Sequence, residues 1–390
     1  MADIKLVKIG DIVATNASSY STKDNWRYVN YLDTGNITRN VIDSIQYIDL
    51  AQEKLPSRAK RKVKKNSIIY STVRPNQLHY GIIKNQPQNF LVSTGFTVID
   101  VDESKAVAEY VYYFLTQNEI VESLQAIGEQ SVSTYPSIKP SDIEDIEIPL
   151  PSLDIQKKIV GILKSLDAKI ESNSAINNNL EKQLSILYRQ LFENEPRDIE
   201  LGSVVETTSG GTPSRKNPEF YESFGICWVK SKELLSTYII DTEEHINEMA
   251  ISKSSAKLLP KHSVLIAMYG ATVGAYGIIS SQMTCNQAVC ALLPNNKYPH
   301  TYLFQVAKES QQILINMAVG SAQQNISQIL IKQLPIHSNT TAIKAFHTVA
   351  VSIHQKIEAM QHENRTLMNL RETLLPQLLL GKLDVSTIEF

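Results

Sequence analysis

Apolar positions recur at helical spacing along two long stretches of the chain. From Ser152, which can cap a helix, to about Phe192, the positions Ile159, Leu163, Leu166, Ile170, Asn173, Asn177, Leu180, Leu184, Leu187 and Leu191 alternate in steps of four and three. The same steps return at Phe346, Ala350, Ile353, Ile357, Met360, Asn364, Leu367, Arg371, Leu374 and Leu378, ahead of Gly381, a glycine suited to ending a helix. The pattern predicts two coiled-coil segments of roughly 40 residues, about 60 Å each if fully helical, whose seams close on each other. A whole globular segment separates them, so spacing alone leaves parallel and antiparallel pairings open. An antiparallel pair satisfies a pseudo-two-fold axis and brings Asn173 to Asn364. Asn173, Asn177 and Asn364 are therefore candidates for setting the helix register, because buried seam asparagines trade stability for orientation. The plainer alternative places them at solvent-facing gaps in an imperfect seam.

Outside these segments the hydrophobic runs are short. Ser67-Ile68-Ile69-Tyr70, Gly81-Ile82-Ile83, Phe96-Thr97-Val98-Ile99 and Ser263-Val264-Leu265-Ile266 are β-branched runs between turn residues and predict strands. Amphipathic helices are predicted from Glu109 to Ile127 and from Tyr302 to Ala318. The expected fold class is α/β or α+β, with two globular regions alternating with two long helices.

The two halves spell the same unit twice. Ile9-Gly10 answers Leu201-Gly202, and Tyr31-Leu32-Asp33-Thr34 answers Trp228-Val229-Lys230-Ser231. Lys65-Asn66-Ser67-Ile68 returns as Lys261-His262-Ser263-Val264, and Tyr80-Gly81-Ile82-Ile83 as Tyr276-Gly277-Ile278-Ile279. Ile127-Gly128 pairs with Val319-Gly320, Ile148-Pro149 with Leu334-Pro335, Lys169-Ile170-Glu171 with Lys356-Ile357-Glu358, and Gln190-Leu191 with Gln377-Leu378. The shift drifts only from 197 to 186 positions, so small loop insertions separate copies of a common fold.

Composition adds modest bounds. The 390 residues, 43% of them hydrophobic, suffice for more than one core. All three cysteines, Cys227, Cys285 and Cys290, fall in the second copy, and an odd number without paired spacing points to reduced thiols rather than a disulfide or zinc framework. The opening MADIKLVKIGDIV lacks the apolar core of a signal peptide, and the expectation is a soluble cytoplasmic protein. The net charge of −2 conceals an uneven distribution. From Ala51 to Lys84 nine basic residues face one acid, Glu53, whereas Asp142, Glu144, Asp145 and Glu147 belong to an acidic stretch beginning at Asp100. A basic and an acidic face on one domain would suit a phosphate backbone on one side and another partner on the other. The alternative reading of the basic run is a solvated loop.

Motifs for chemistry are missing. There is no Pro-Pro dipeptide for a base-holding methyltransferase loop, no G-x-G-x-x-G, no phosphate loop around Gly381-Lys382, no H-E-x-x-H and no G-x-S-x-G. A non-catalytic protein without a metal or cofactor of its own is expected. Reading bases in a groove needs forked donors and acceptors. In the first copy the candidates are Lys60, Arg61, Lys62, Lys64 and Lys65, with Arg74, Asn76, Gln77, His79 and Tyr80 in the turn that follows the Ser67 strand. The second copy offers Arg215, Lys216, Lys230, Lys232, Asn286, Gln287, Gln323, Gln324 and Asn325. For each the competing role is an ordinary turn or surface group. Asn286-Gln287 reads equally as a satisfied buried amide pair, the glycines within 209–211 as a tight turn, and Trp228 as core.

Several of these stretches resemble the specificity subunit of type I restriction-modification systems over essentially the whole chain. The likeness rests on Ser209-Gly210-Gly211-Thr212-Pro213-Ser214-Arg215 followed by Trp228-Val229-Lys230-Ser231, and on Leu375-Pro376-Gln377-Leu378-Leu379-Leu380-Gly381-Lys382-Leu383. Tyr31-Leu32-Asp33-Thr34-Gly35-Asn36-Ile37 and Ile148-Pro149-Leu150-Pro151 with Gln156 extend it. Two departures are local: Ile155-Gln156 stands where Glu-Gln is usual, and the second copy has no second proline or glutamine after Pro335. The resemblance implies target recognition domains at 1–150 and 196–337, spacer helices at 151–195 and 338–383 packed antiparallel, and a tail at 384–390. Each recognition domain would read half of a split double-stranded DNA target, with the helices setting the gap. It further implies two DNA methyltransferase subunits docked on the helices, restriction or translocase subunits, and S-adenosylmethionine, ATP and Mg held by those partners. The competing class is a duplicated protein-binding scaffold without DNA specificity. Affinity that falls steeply with salt separates the two.

Overall fold

A computed structural model describes residues 4–131, 135–318, 325–385 and 388. Its helices, in chain order, are α1 Ala108–Leu115, α2 Asn118–Glu129, α3 Pro140–Glu144, α4 Leu153–Phe192, α5 Glu248–Ser252, α6 His300–Met317, α7 Gln328–Lys332 and α8 Thr340–Leu379. Two compact units result: residues 1–168 with 368–390, and residues 169–367. The division falls inside both long helices, so each unit holds one globular domain and a part of α4 and of α8.

In the first unit, Val13–Thr15, Phe96–Val101, Ile68–Ser71 and Tyr80–Ile82 form an antiparallel sheet in that order. A second sheet orders Gln46–Asp49, Tyr28–Leu32, Phe90–Ser93 and Ala59–Lys62, with Tyr28–Leu32 and Phe90–Ser93 parallel. Lys5–Lys8 pairs with Glu147–Leu150 and so closes the domain just before α4. The other unit repeats the first sheet and the closing pair, while the fourth strand of its second sheet, Tyr221–Glu222, stands at the edge opposite to that of Ala59–Lys62. Glu206–Ser209, Val289–Leu293, Val264–Ala267 and Tyr276–Ile279 form the first sheet, extended by Tyr238–Ile239. The second sheet again carries one parallel pair, Ile226–Val229 with Thr284–Cys285, and Ile199–Glu200 with Pro335–Ile336 closes the domain before α8.

The duplication extends to backbone detail. Ile9 N–H donates to Ile146 O and Leu201 N–H to Leu334 O, both at 2.9 Å. The glycine after each donor stands in a crowded place: a Cβ at Gly10 would lie 3.1 Å from Glu144 Cβ, and one at Gly202 2.6 Å from Lys332 Cβ. Asn66 and His262, which correspond in the repeat, both take left-handed backbone, at φ 69° and 68°.

Each unit's main core uses the long helices as one wall. Ile159, Leu163, Leu375 and Leu378 pack with Tyr110, Phe114 and Ile148 in the first. Leu184, Tyr188, Phe192, Phe346, Ala350 and Ile357 pack with Ile266, Tyr302 and Leu303 in the second. In this second unit Asn173 meets Asn364 while Tyr188 meets Phe346 at a ring separation of 5.6 Å, so α4 and α8 run antiparallel. At its end α8 turns through Gly381, φ 65°, with Gly381 N–H on Leu378 O and Lys382 N–H on Gln377 O, which satisfies its last carbonyls.

Two expectations need correction. The single helix predicted from Glu109 to Ile127 is two, α1 and α2, broken at Thr116–Gln117. Thr116 Oγ1 donates to Tyr113 O and Gln117 Nε2 to Phe114 O, so side chains capture carbonyls that a continuing helix would use, and Gln117 is extended. Nor do the basic and acidic runs of the first copy occupy separate faces. Lys84 pairs with Glu109 at 2.5 Å, and Lys64 and Lys65 line one cleft with Asp102 and Glu103.

Candidate nucleic-acid interface

The basic candidates of the first domain stand on two sheets. Lys60, Arg61 and Lys62 lie on Ala59–Lys62, an edge strand, with Lys60 exposed and the other two half-buried. Lys62 pairs with Asp24 and lies 5.5 Å from the Trp26 ring; its hydrogen bond holds the Asp24 carboxyl below the usual range. Burial depresses the Arg61 guanidinium, whose Nε has no hydrogen-bond partner among the described residues. Lys64 and Lys65 are exposed in the turn before Ile68–Ser71.

The Arg74 to Tyr80 turn joins two strands of the other sheet. Left-handed residues Arg74 (φ 47°) and Leu78 (φ 60°) bracket one 3-10 turn, Pro75–Gln77, which leaves Asn76 and Gln77 exposed. Arg74 stacks its guanidinium 4.9 Å from the Tyr135 ring. His79 Nδ1 lies 2.6 Å from Ile37 O. Tyr80 does not belong with these groups: it is buried and stacks on Tyr70 at 5.6 Å, so it faces the core. Sequence reasoning also missed two neighbours. The hairpin joining Ile37–Thr38 to Val41–Ile42 turns through Arg39 and Asn40, both left-handed and exposed, and donates from their amides to Leu78 O (2.9 Å) and Tyr80 O (2.8 Å). An Arg-Asn dipeptide between β-branched residues was the available signal.

In the second domain the basic candidates share acids. Arg215 pairs with Glu244 at 2.6 Å and lies over Tyr221 (4.3 Å) and Trp228 (5.4 Å). Lys230 reaches Glu243 and Glu244, both at 2.9 Å, and Lys232 reaches Glu243 at 2.7 Å. The Arg215 hydrogen bond, reinforced by Lys230, pushes the Glu244 carboxyl down to about 2. Lys216 is exposed. Asn286 and Gln287 are not a buried pair: Asn286 is half-buried and folds its Oδ1 onto Ala288 N–H at 3.1 Å, while Gln287 is exposed and accepts from Thr212 Oγ1. Asn325 is exposed and bridges to Tyr269. Gln323 and Gln324 lie outside the described residues. Trp228 is core, with its Nε1 donating to Gly211 O at 3.0 Å. The Gly210-Gly211 pair permits close backbone approach, since a Cβ at Gly210 would sit 1.9 Å from Cys285 O.

The seam asparagines are buried or half-buried. In the second unit Asn173 Nδ2 donates to Asn364 Oδ1 at 2.9 Å and Glu363 Oε2 at 2.8 Å, Asn364 Nδ2 donates to Ser174 Oγ at 3.3 Å, and Asn177 lies one turn away. The first unit fills a seam position differently: Arg371 binds Asp167 at 2.8 Å, and Tyr113 OH donates to the other Asp167 oxygen at 2.7 Å.

A duplicated mixed α/β domain, each copy followed by a 40-residue helix, with polar loops at its strand turns, defines a class of two-domain recognition proteins. The family described as the type I restriction modification DNA specificity domain matches residues 1–182 and again 195–338, and the chain belongs to it. It is 24% identical to the HindI type I restriction enzyme specificity subunit of Haemophilus influenzae, across 98% of this chain and 100% of that one. It is likewise 24% identical to the MjaIX specificity subunit of Methanocaldococcus jannaschii, across 99% and 94%. The solved type I restriction-modification S subunit from M. genitalium shares the fold, with a TM-score of 0.56 at 17% identity over 97% of this chain and 96% of that one. Specificity subunits of this family are non-catalytic. Among the described residues no helix is long and apolar enough to cross a membrane.

Proposed function

We propose that this chain is the DNA sequence-specificity subunit of a type I restriction-modification complex, each of its two domains reading one half of a split duplex target. The observation that carries this reading is the double match to a DNA specificity domain on two copies of one topology. Phosphate contacts supply grip and base-edge contacts supply selectivity. In the first copy the grip falls to Lys60, Lys64 and Lys65 and the reading to Arg74, Asn76, Gln77 and His79, joined by Arg39 and Asn40. In the second, Arg215, Lys216, Lys230, Lys232, Asn286, Gln287 and Asn325 are the corresponding set. The helices α4 and α8 set the unread gap, and half-site spacing becomes part of specificity. They also dock two methyltransferase subunits, which bring S-adenosylmethionine; ATP and Mg belong to restriction or translocase subunits, and the complex works on cytoplasmic DNA. A duplicated scaffold without DNA specificity is not favoured, because the family match spans both copies. Co-expression with a methyltransferase subunit and mapping of methylated adenines tests the proposal. A split, asymmetric motif is expected, and removal of residues 74–79 should abolish one half of it; methylation unchanged by that deletion would overturn the assignment of the loop.

A further inference from the structure

The cysteine that sequence spacing excluded from a metal framework acquires partners once the second domain folds. Cys227 and His245 are direct cross-strand partners on Ile226–Val229 and His245–Ile246, so the pairing projects both side chains to one side of the sheet. Asp241, in the segment leading to His245–Ile246, joins them. Its Oδ1 lies 2.9 Å from His245 Nε2 and 3.7 Å from Cys227 Sγ, and one ligand atom from each residue lies within 4.8 Å of the others. Arg365 holds the second carboxylate oxygen, and Thr242 N–H donates to Oδ1 at 2.9 Å. The carboxylate is thus fixed from outside with one oxygen turned toward sulfur and imidazole. Outer partners that orient a ligating carboxylate are a regular part of protein metal sites. All three groups are half-buried, so none is sealed from solvent.

We infer that Cys227, Asp241 and His245 form a binding site for a borderline divalent cation of the Zn2+ class. One sulfur, one imidazole nitrogen and one carboxylate oxygen suit such an ion, and three protein ligands leave its fourth tetrahedral position to water. Hard cations such as Ca2+ and Mg2+ take oxygen ligands and find one here. Binding replaces the thiol proton by the metal, which releases one proton to solvent, while His245 ligates in its neutral form. The site is independent of the DNA-reading proposal. It does share a loop with it, because Glu243 and Glu244, which hold Arg215, Lys230 and Lys232, lie between two of the ligands.

The test uses the full chain, stripped with chelator and titrated with Co2+ as a spectroscopic probe and then with Zn2+ in competition. The expected result is one equivalent per chain, with a near-ultraviolet thiolate-to-cobalt charge-transfer band that Zn2+ bleaches. Cys227→Ser should abolish the band, and Asp241→Asn and His245→Gln should each weaken binding at least tenfold. Cys285→Ser and Cys290→Ser should change nothing. No band in the unsubstituted protein, or one that survives Cys227→Ser, overturns the site. Should a substituted chain fail to fold, the unsubstituted protein still decides: Zn2+ must slow alkylation of Cys227 at least tenfold by mass spectrometry, and equal rates with and without Zn2+ refute the proposal.

Discussion

The two recognition domains share the strand order of their first sheet, the closing strand pair and glycine crowding, yet handle their positive charges in opposite ways. In the first, Lys60, Lys64 and Lys65 are exposed and enter none of the ion pairs found among the described residues. In the second, Arg215, Lys230 and Lys232 are tied to Glu243 and Glu244. The framework is duplicated and the electrostatics are not. A frame set by backbone pairing and apolar packing tolerates changes in exposed charge that would alter its grip on a polyanion. Titratable groups diverge as well: seven of the eight histidines lie between residues 245 and 362, and only His79 belongs to the first unit.

The largest expected effect follows from those histidines. His300 stacks on His262 at 4.3 Å and meets His347 and His354 edge-on; Tyr238 OH lies 3.0 Å from His354 Nδ1, and Glu358 and Lys261 stand nearby. Burial, then the neighbouring imidazoles, push His300 down to about 2 and His354 to about 3. Both are neutral in the fold, whereas the unfolded chain protonates them below about pH 6.5. Their contribution is therefore complete above pH 6.5 and declines as pH falls toward 3, by about 1.4 kcal/mol per pH unit for each. The second unit should lose roughly 3 kcal/mol between pH 6.5 and 5, and the first should be little affected. Hydrogen-exchange protection factors at pH 7 and 5 distinguish them; equal losses in both units would break the comparison.

A smaller effect separates two constrained backbone positions, one in each domain. Gly210 in the second lies directly against the Cys285 carbonyl, whereas Asn16 in the first is left-handed at φ 51° with its Oδ1 accepting from Val98 N–H at 3.0 Å. Gly210→Ala drives a methyl into Cys285 O and should cost about 3 kcal/mol, since backbone cannot step aside as a side chain can. Asn16→Gly removes one hydrogen bond, about 1 kcal/mol. Urea midpoints of the two variants check the ranking.

What sequence made legible was whatever has a period or a copy. The α4 and α8 seams stand out because apolar steps of four and three persist for 40 residues, and the duplication is visible because Ile9-Gly10 and Leu201-Gly202 meet the same crowding. The α1–α2 break was hidden because Thr116 and Gln117 compete for carbonyls only through their side chains. The pairing of Lys230 with Glu243 and Glu244 depends on a register that brings residues 13 and 14 positions apart together. The approach of Arg39 and Asn40 to His79 likewise depends on which strands pair, and so does the Cys227 cluster. Tyr80 was misplaced for a related reason: it occupies the first residue of a strand, where one position decides between core and solvent.

The charge contrast itself predicts a difference in salt response. Each lysine withdrawn from a phosphate flattens the dependence of log affinity on log salt by about 0.9. Lys64→Ala with Lys65→Ala should reduce the slope by about 2 and weaken binding at moderate salt by roughly 2 kcal/mol. Lys230→Ala with Lys232→Ala should move it by less than about 1, because Glu243 and Glu244 already offset those charges. Binding of the assembled complex to its target duplex from low to high salt measures both. Equal slopes would mean that the acids let go on meeting DNA and that the domains grip alike.

The smallest effect lies in the seam. Asn177 is buried, and among the described residues no donor reaches its Oδ1. The first unit meets its polar seam position with a complete set, Asp167 between Arg371 and Tyr113. Leucine at 177 removes an unpaired oxygen and keeps the γ-branched shape while its larger apolar side chain extends into the adjoining cleft, so Asn177→Leu should stabilise the second unit by about 1 kcal/mol. That corresponds to a rise of about 2–4 °C in melting temperature for a unit of this size. A fall instead would show that the amide is satisfied through solvent in the cleft it shares with Ser174, Glu181 and Asn364, and that the second unit's seam is as complete as the first's.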